Sequence, residues 1–136
     1  GFFFLRLQLE KRVMSTRTDE QKVILQRKLD LVATSPRVLL IATAPWCGHC
    51  KTMQDEIPKL AANLKATATN ADLVHLQQGD MDKSFMAKYK IGGFPTITLL
   101  SHGEEVRPFR VGKRTAEHML AFMMSTAIVP KIVLAK

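Results

Sequence analysis

The sequence predicts one α/β domain, a central mixed sheet flanked by helices on both faces. Two observations carry this. Three stretches of strand length, "RVLLIATA" (37–44), "DLVHLQQ" (72–78) and "PTITLLS" (95–101), are rich in apolar residues, and the stretch between the first two repeats its apolar residues at three- and four-residue steps. The chain has 136 residues, 46% hydrophobic and 24% charged, which suffices for one packed core without disulfide staples and is too short to expect two domains.

The elements follow in order. Thr18 precedes acids at Asp19 and Glu20, a helix-start pattern, and a helix is predicted from about Thr18 to Thr34. "RVLLIATA" is a continuous apolar run, the mark of a strand buried on both faces. From Cys47 to about Ala66, Met53, Ile57, Leu60, Ala61 and Leu64 share a helical spacing, and Pro58 should kink this helix. "DLVHLQQ" reads as a second strand, "DKSFMAKYK" as a short helix opening near Asp82, and "PTITLLS" as a third strand. "HGEE" is a turn into "VRPFRVG", a fourth strand near an edge because Pro108 cannot donate to a ladder. "RTAEHMLAFMMSTA" closes the fold as a helix with Met119, Leu120, Phe122 and Met123 turned inward. The order is α-β-α-β-α-β-β-α, parallel at first and ending in a hairpin. Residues 1–17 are read as an N-terminal segment, 18–126 as the domain, and 127–136 as a tail.

Charge and hydropathy limit the partners. The net charge is +8 and the pI about 9.8, but Lys and Arg are spread along the chain with no run of five, so a solvated basic surface is expected and no specific nucleic acid. No stretch reaches the roughly 18 to 20 apolar residues that span a bilayer. In the opening "GFFFLRLQLEKRV", Arg6 interrupts the apolar start before a signal-peptide core could form.

Both cysteines of the chain lie in "ATAPWCGHCK" (42–51), two residues apart. Such a pair is a redox dithiol, half of a metal site, or two incidental thiols. A strand ending at Ala44 and a helix starting near Cys47 place the first sulfur over a helix N-terminus, where unpaired backbone N–H groups favour an anion. A thiolate is such an anion, and its stabilisation lowers the thiol pKa from about 8.5. Cys50, one turn inside, is expected to be the less exposed partner. No metal is expected, because His75, His102 and His118 stand alone without the paired spacing of a zinc site. A structural disulfide closing so small a loop removes little unfolded-state entropy.

"APWCGHCK" resembles the active-site motif of protein disulfide isomerase domains within the thioredoxin-fold family, and "GGFPT" (92–96) resembles their cis-proline loop. The resemblance runs from roughly Arg37 to Met124. It implies the thioredoxin fold, Cys47 as the nucleophile that attacks substrate disulfides, and Cys50 as the thiol that resolves the mixed disulfide. Trp46 is similar to the tryptophan flanking the sulfur. Pro95 is similar to the cis proline facing it, with the Phe94 backbone pairing to an extended substrate. Gly48 and His49 would set the redox poise, the imidazole stabilising the thiolate or serving only as an exposed spacer. Arg114 in "GKRT" is similar to a loop arginine that eases deprotonation of the second cysteine; a plain surface arginine is the alternative.

Two positions depart from the family pattern. Six residues before the first cysteine the family usually buries an acid that takes the proton of the resolving thiol, and here stands Ile41; the lysine that pairs with that acid is matched to Gln78. Asp55 stands where a kinking proline is common, with Pro58 three residues on.

The function implied is thiol–disulfide exchange with protein substrates of the disulfide isomerase type. The alternatives are a cytosolic thioredoxin-like reductant and a client-binding module of low turnover. The implied partners are protein thiols or disulfides and a redox donor or acceptor such as glutathione or a reductase, with no organic cofactor. The motif tilts the compartment toward the endoplasmic reticulum lumen or another oxidising space over the cytoplasm.

Overall fold

A computed structural model describes residues 18–67, 70–110 and 112–125. The segments read from sequence as 1–17 and 127–136 lie outside the described residues. Helix α1 (Asp19–Thr34) opens on a capping box: the Thr18 hydroxyl accepts from the Gln21 N–H while the Gln21 side chain accepts from the Thr18 N–H. It leads into strand β1 (Val38–Thr43), every residue of which is buried. Strand β2 (Asp72–Gln77) pairs parallel to β1, and β3 (Thr96–Ser101) pairs antiparallel on its other side. Strand β4 (Glu104–Pro108) closes the edge, giving the order β2-β1-β3-β4.

The expected mixed sheet is present, with two differences in its surroundings. The helix predicted over 47–66 is two helices, α2 (Gly48–Thr52) and α3 (Glu56–Thr67). The break lies upstream of Pro58, which occupies the first turn of α3, where a missing N–H costs nothing. A continuous helix would have pressed the proline ring against the Gln54 carbonyl, so the chain turns through Met53 to Asp55 instead. The fourth strand begins at Glu104, earlier than the sequence suggested, because the hairpin loop is only His102–Gly103. Both loop residues have positive φ, 51° and 79°, as a type I′ turn requires. A Cβ on Gly103 would also meet the Ala33 carbonyl oxygen at 3.1 Å.

The two faces of the sheet bury separate cores. Leu39, Ile41, Ile97 and Leu99 pack against Met53 and Leu60, and against Met119 and Met123 of helix α5 (Ala116–Ser125). Val38, Leu40, Ala42, Val74 and Leu76 pack against Val32 of α1 and the region of helix α4 (Lys83–Lys88), which Asp82 caps by accepting from the Phe85 N–H. Glu56 ties α3 to α5, its Oε1 accepting from the Ala116 N–H at 3.0 Å. β1 is thus the fixed axis of the molecule, and whatever follows Thr43 is held on a rigid support.

Candidate active site

The dithiol sits where β1 leaves the sheet. Cys47 is the N-cap of α2, and its Sγ accepts from the Cys50 backbone N–H at 3.2 Å. A thiol here does what a serine or aspartate usually does, and its ionised form does it better. Because α2 is only five residues long, local N–H groups supply this stabilisation more than an extended helix dipole does.

Burial by itself pushes the Cys47 thiol up. Hydrogen bonds from the Cys50 side chain, the Cys50 backbone and the His49 backbone, with the positive charge of Arg114, outweigh it and hold the thiol below its ordinary range. Cys50 is pushed the other way, first by burial and then by its neighbour Cys47, against smaller help from the Ala44 backbone and Arg114. The expectation that Cys47 is the more exposed thiol is not met: the two are 5% and 6% exposed, forming with Ala44 one buried cluster against which Phe94 packs. What separates them is the hydrogen bonding, which favours charge on the first sulfur and disfavours it on the second. Both are free thiols.

The residues expected around the sulfurs gather there in differing ways. The Phe94–Pro95 peptide is cis, and the Phe94 carbonyl accepts from the Cys47 thiol at 3.4 Å. Trp46 is 66% exposed, its ring edge-on to Phe94 at 5.8 Å between centroids, and its Nε1–H donates to the Gln78 Oε1 at 2.8 Å. His49 is exposed and reaches Cys47 through its backbone, while Gly48 opens α2 with open space around its Cα. Arg114, also exposed, acts on both thiols through charge.

Gln78 does not face Ile41. It opens a 3-10 turn (Gln78–Asp80) past the end of β2, and the residue beside Ile41 in the ladder is His75. Neighbours in register share a sheet face, so His75, Ile41 and Thr43 all look toward α2. The His75 Nε2 lies 2.7 Å from the Thr43 Oγ1. A cleft of about 260 Å³ lies between these strand ends and α2, lined among others by Thr43, Cys50, Lys51, Gln54 and His75. From sequence alone, His75 is a solitary histidine. The signal lay in the parity of β1, which puts Ile41 and Thr43 on one side, joined to a strand register no single sequence displays. Among the described residues no group of His, Cys, Asp or Glu is placed to hold a metal ion, and no helix is long and apolar enough to cross a membrane.

A four-stranded mixed sheet with helices on both faces, carrying a dithiol at a helix start opposite a cis proline, defines a thioredoxin-fold domain with a paired-cysteine centre. Comparison with known proteins agrees. The Thioredoxin family profile matches residues 20–125, and the chain belongs to this family. It is homologous to domains of protein disulfide isomerases: it is 35% identical over 92 residues to protein disulfide-isomerase A4 of Bos taurus, covering 68% of this chain and 14% of that protein. It is 39% identical over 101 residues to protein disulfide isomerase-like 2-3 of Oryza sativa subsp. japonica, covering 72% and 22%. The chain therefore spans less than a quarter of the length of these relatives. The solution structure of the first thioredoxin domain of mouse protein disulfide-isomerase A4 superposes with a TM-score of 0.59 at 33% identity, covering 71% of this chain and 66% of that one.

Proposed function

We propose that this chain is a thiol–disulfide oxidoreductase domain of the protein disulfide isomerase type, exchanging disulfides with protein substrates through Cys47 and Cys50. The observation that carries the reading is the opposed environment of the two sulfurs: the Cys50 N–H on the Cys47 Sγ at 3.2 Å, a first thiol held down and a second pushed up. Exchange needs this asymmetry, because a thiolate must be available to attack while its partner stays protonated until called on.

In the reducing direction the Cys47 thiolate attacks one sulfur of a substrate disulfide. The substrate S–S bond breaks, one substrate thiolate leaves with the bonding pair, and a mixed disulfide joins Cys47 to the other. Cys50 loses its proton and attacks the Cys47 sulfur, the second substrate thiolate leaves, and the Cys47–Cys50 disulfide has taken the place of the substrate's. The reverse sequence oxidises a dithiol substrate. The exposed ring of Trp46 and the Phe94–Pro95 segment offer an apolar rim on which an unfolded chain can lie. Glutathione or a reductase would restore the working redox state, and disulfide exchange of this type suits an oxidising compartment such as the endoplasmic reticulum lumen.

Insulin reduction followed by turbidity tests the reading, with activity expected in the wild type and abolished in Cys47→Ser. An inactive wild type that still binds unfolded peptides would replace this reading with a client-binding module. The reduction potential against glutathione sets the direction: a value near about −180 mV fits an oxidase or isomerase, and one near about −270 mV a thioredoxin-like reductant.

A further inference from the structure

The exchange cycle asks Cys50 to give up a proton from a nearly closed position, and burial opposes it. The strand residue Ile41 offers no lone pair. Arg114 and Lys51, the cations nearby, are donors only. The cleft under Cys50 nevertheless contains a proton-accepting pair, the hydroxyl of Thr43 and the imidazole of His75 at 2.7 Å.

We propose that the Thr43–His75 pair is the proton acceptor for Cys50, reached through water in the cleft that Thr43, Cys50, Gln54 and His75 line together. The inference deepens the exchange reading above and rests on it for its role in turnover. The cleft has room for water, which needs only about 10 to 15 Å³ of accessible space and two or more polar partners. The Thr43 hydroxyl, the Gln54 and Gln77 amides and the imidazole supply the partners. In the step itself the Cys50 S–H bond breaks and its proton passes to cleft water. Water gives a proton to the Thr43 Oγ1, and Thr43 gives its own to the His75 Nε2. The Cys50 thiolate then attacks the Cys47 sulfur, the mixed disulfide breaks, and the departing thiolate or solvent takes the proton back from the imidazolium. One proton moves out and back, and the electron pairs move only among sulfurs.

The surroundings of His75 suit an acceptor that starts neutral. Burial, then the positive charge of Lys28, push its imidazole below the ordinary histidine range, with Asp80 opposing. Lys28 of α1 donates its Nζ to the His75 carbonyl at 3.1 Å, Asp80 lies in the 3-10 turn, Lys51 and Cys50 border the cleft from α2, and Ile57 of α3 closes it with an apolar side chain. Its folded pKa being depressed, the imidazole is neutral and able to accept at pH 7, and loses that ability as pH falls.

The test uses the whole chain and 5,5′-dithiobis(2-nitrobenzoate). Cys47 forms a mixed disulfide with thionitrobenzoate, and attack by Cys50 releases a second thionitrobenzoate, whose rate is read by absorbance from pH 5 to 10. The wild-type release rate should rise below the ordinary histidine range and level off near neutrality. His75→Gln and Thr43→Val should each slow release by at least about 10-fold at pH 7, lose the plateau, and rejoin the wild type at high pH, where Cys50 ionises unaided. Thermal melting reports whether each variant is folded, and the wild-type profile stands as a readout of its own. A wild-type rate that rises with hydroxide throughout, or a folded His75→Gln with the wild-type profile, overturns the proposal. If insulin is not reduced but release still follows His75, the proposed function fails and this inference stands. If insulin is reduced and the profiles coincide, the inference alone fails.

Discussion

The backbone N–H of Cys50 points at the sulfur of Cys47 from 3.2 Å, and together with the Cys50 thiol it holds charge on the first cysteine. Cys47 is therefore expected to ionise first. Iodoacetamide at mildly acid pH should label Cys47 in preference to Cys50, with a labelling profile that inflects below the roughly 8.5 of a free thiol. Peptide mapping of the labelled chain decides it, and preferential labelling of Cys50 would reverse the two roles. Cys50→Ser should then accumulate mixed disulfides that survive non-reducing electrophoresis.

Arg114 lowers both thiols through charge alone and is exposed. Arg114→Gln should raise the inflection of Cys47 labelling and slow labelling at pH 7 by less than about 10-fold, with the two proteins converging at high pH where the thiol is ionised in both. Because salt screens exposed charges over a Debye length of about 3 Å at 1 M, the wild type in concentrated salt should approach the variant. A salt-independent difference would mean that Arg114 acts by contact instead of charge.

Much of this architecture could be read in the residues because its signals are local. The unbroken apolar run of β1, the cap at Thr18, the cap at Asp82 and the His102–Gly103 turn each state their structure within a few residues. The break between α2 and α3 was harder. Pro58 marks it, but a proline acts on the turn before it, so the chain bends at Met53 to Asp55 and leaves Pro58 inside the next helix. The cysteine pair and the proline loop were legible as motifs. The pairing of Thr43 with His75 was not, since it depends on the parallel register that sets Ile41 beside His75, fixed by both sheet faces packing at once. For the same reason Gln78 could be matched to a position opposite Ile41 that it does not hold, one residue past the end of β2.

Glu56 joins two helices that are distant in sequence, accepting from the Ala116 N–H at the start of α5 and from the Lys59 Nζ at 3.1 Å. The Ala116 hydrogen bond first, and Lys59 second, hold its carboxyl below the ordinary range against a smaller effect of burial. A depressed carboxylate stabilises the fold above its unfolded pKa of about 4.3, and the contribution is lost as pH falls through the folded value. Glu56→Gln should lower Tm at pH 7, and the gap should narrow as the pH is brought below 4. Differential scanning calorimetry at both pH values measures it; a gap that stays constant would assign the loss to packing and not to charge.

Ile41 is fully buried at the centre of β1, packed with Met53, Leu60 and Ile97 on the face below the dithiol, with His75 beside it in the ladder. Replacing it with glutamate removes an apolar side chain that the core uses and brings in a group whose charged form is costly to bury. Burial should push the new carboxyl above its unfolded value of about 4.3. A group with a raised folded pKa leaves stability intact below the unfolded pKa and costs it as pH rises through the folded one. Ile41→Glu should accordingly show its smaller deficit in acid, where only lost packing and the buried neutral carboxyl count, and fall further behind toward neutrality, by on the order of 3 kcal/mol more at pH 7. Urea melts at about pH 3.5, below the unfolded pKa, and at pH 7 give the two differences. The same carboxylate, once ionised, would favour the imidazolium of His75, so the inflection in thionitrobenzoate release should move to higher pH with the histidine still in control. A deficit of equal size at both pH values would show that lost packing, and not buried charge, sets the cost at this position. An inflection that stays at its wild-type pH in the folded variant would show that the new carboxylate does not reach the His75 ring.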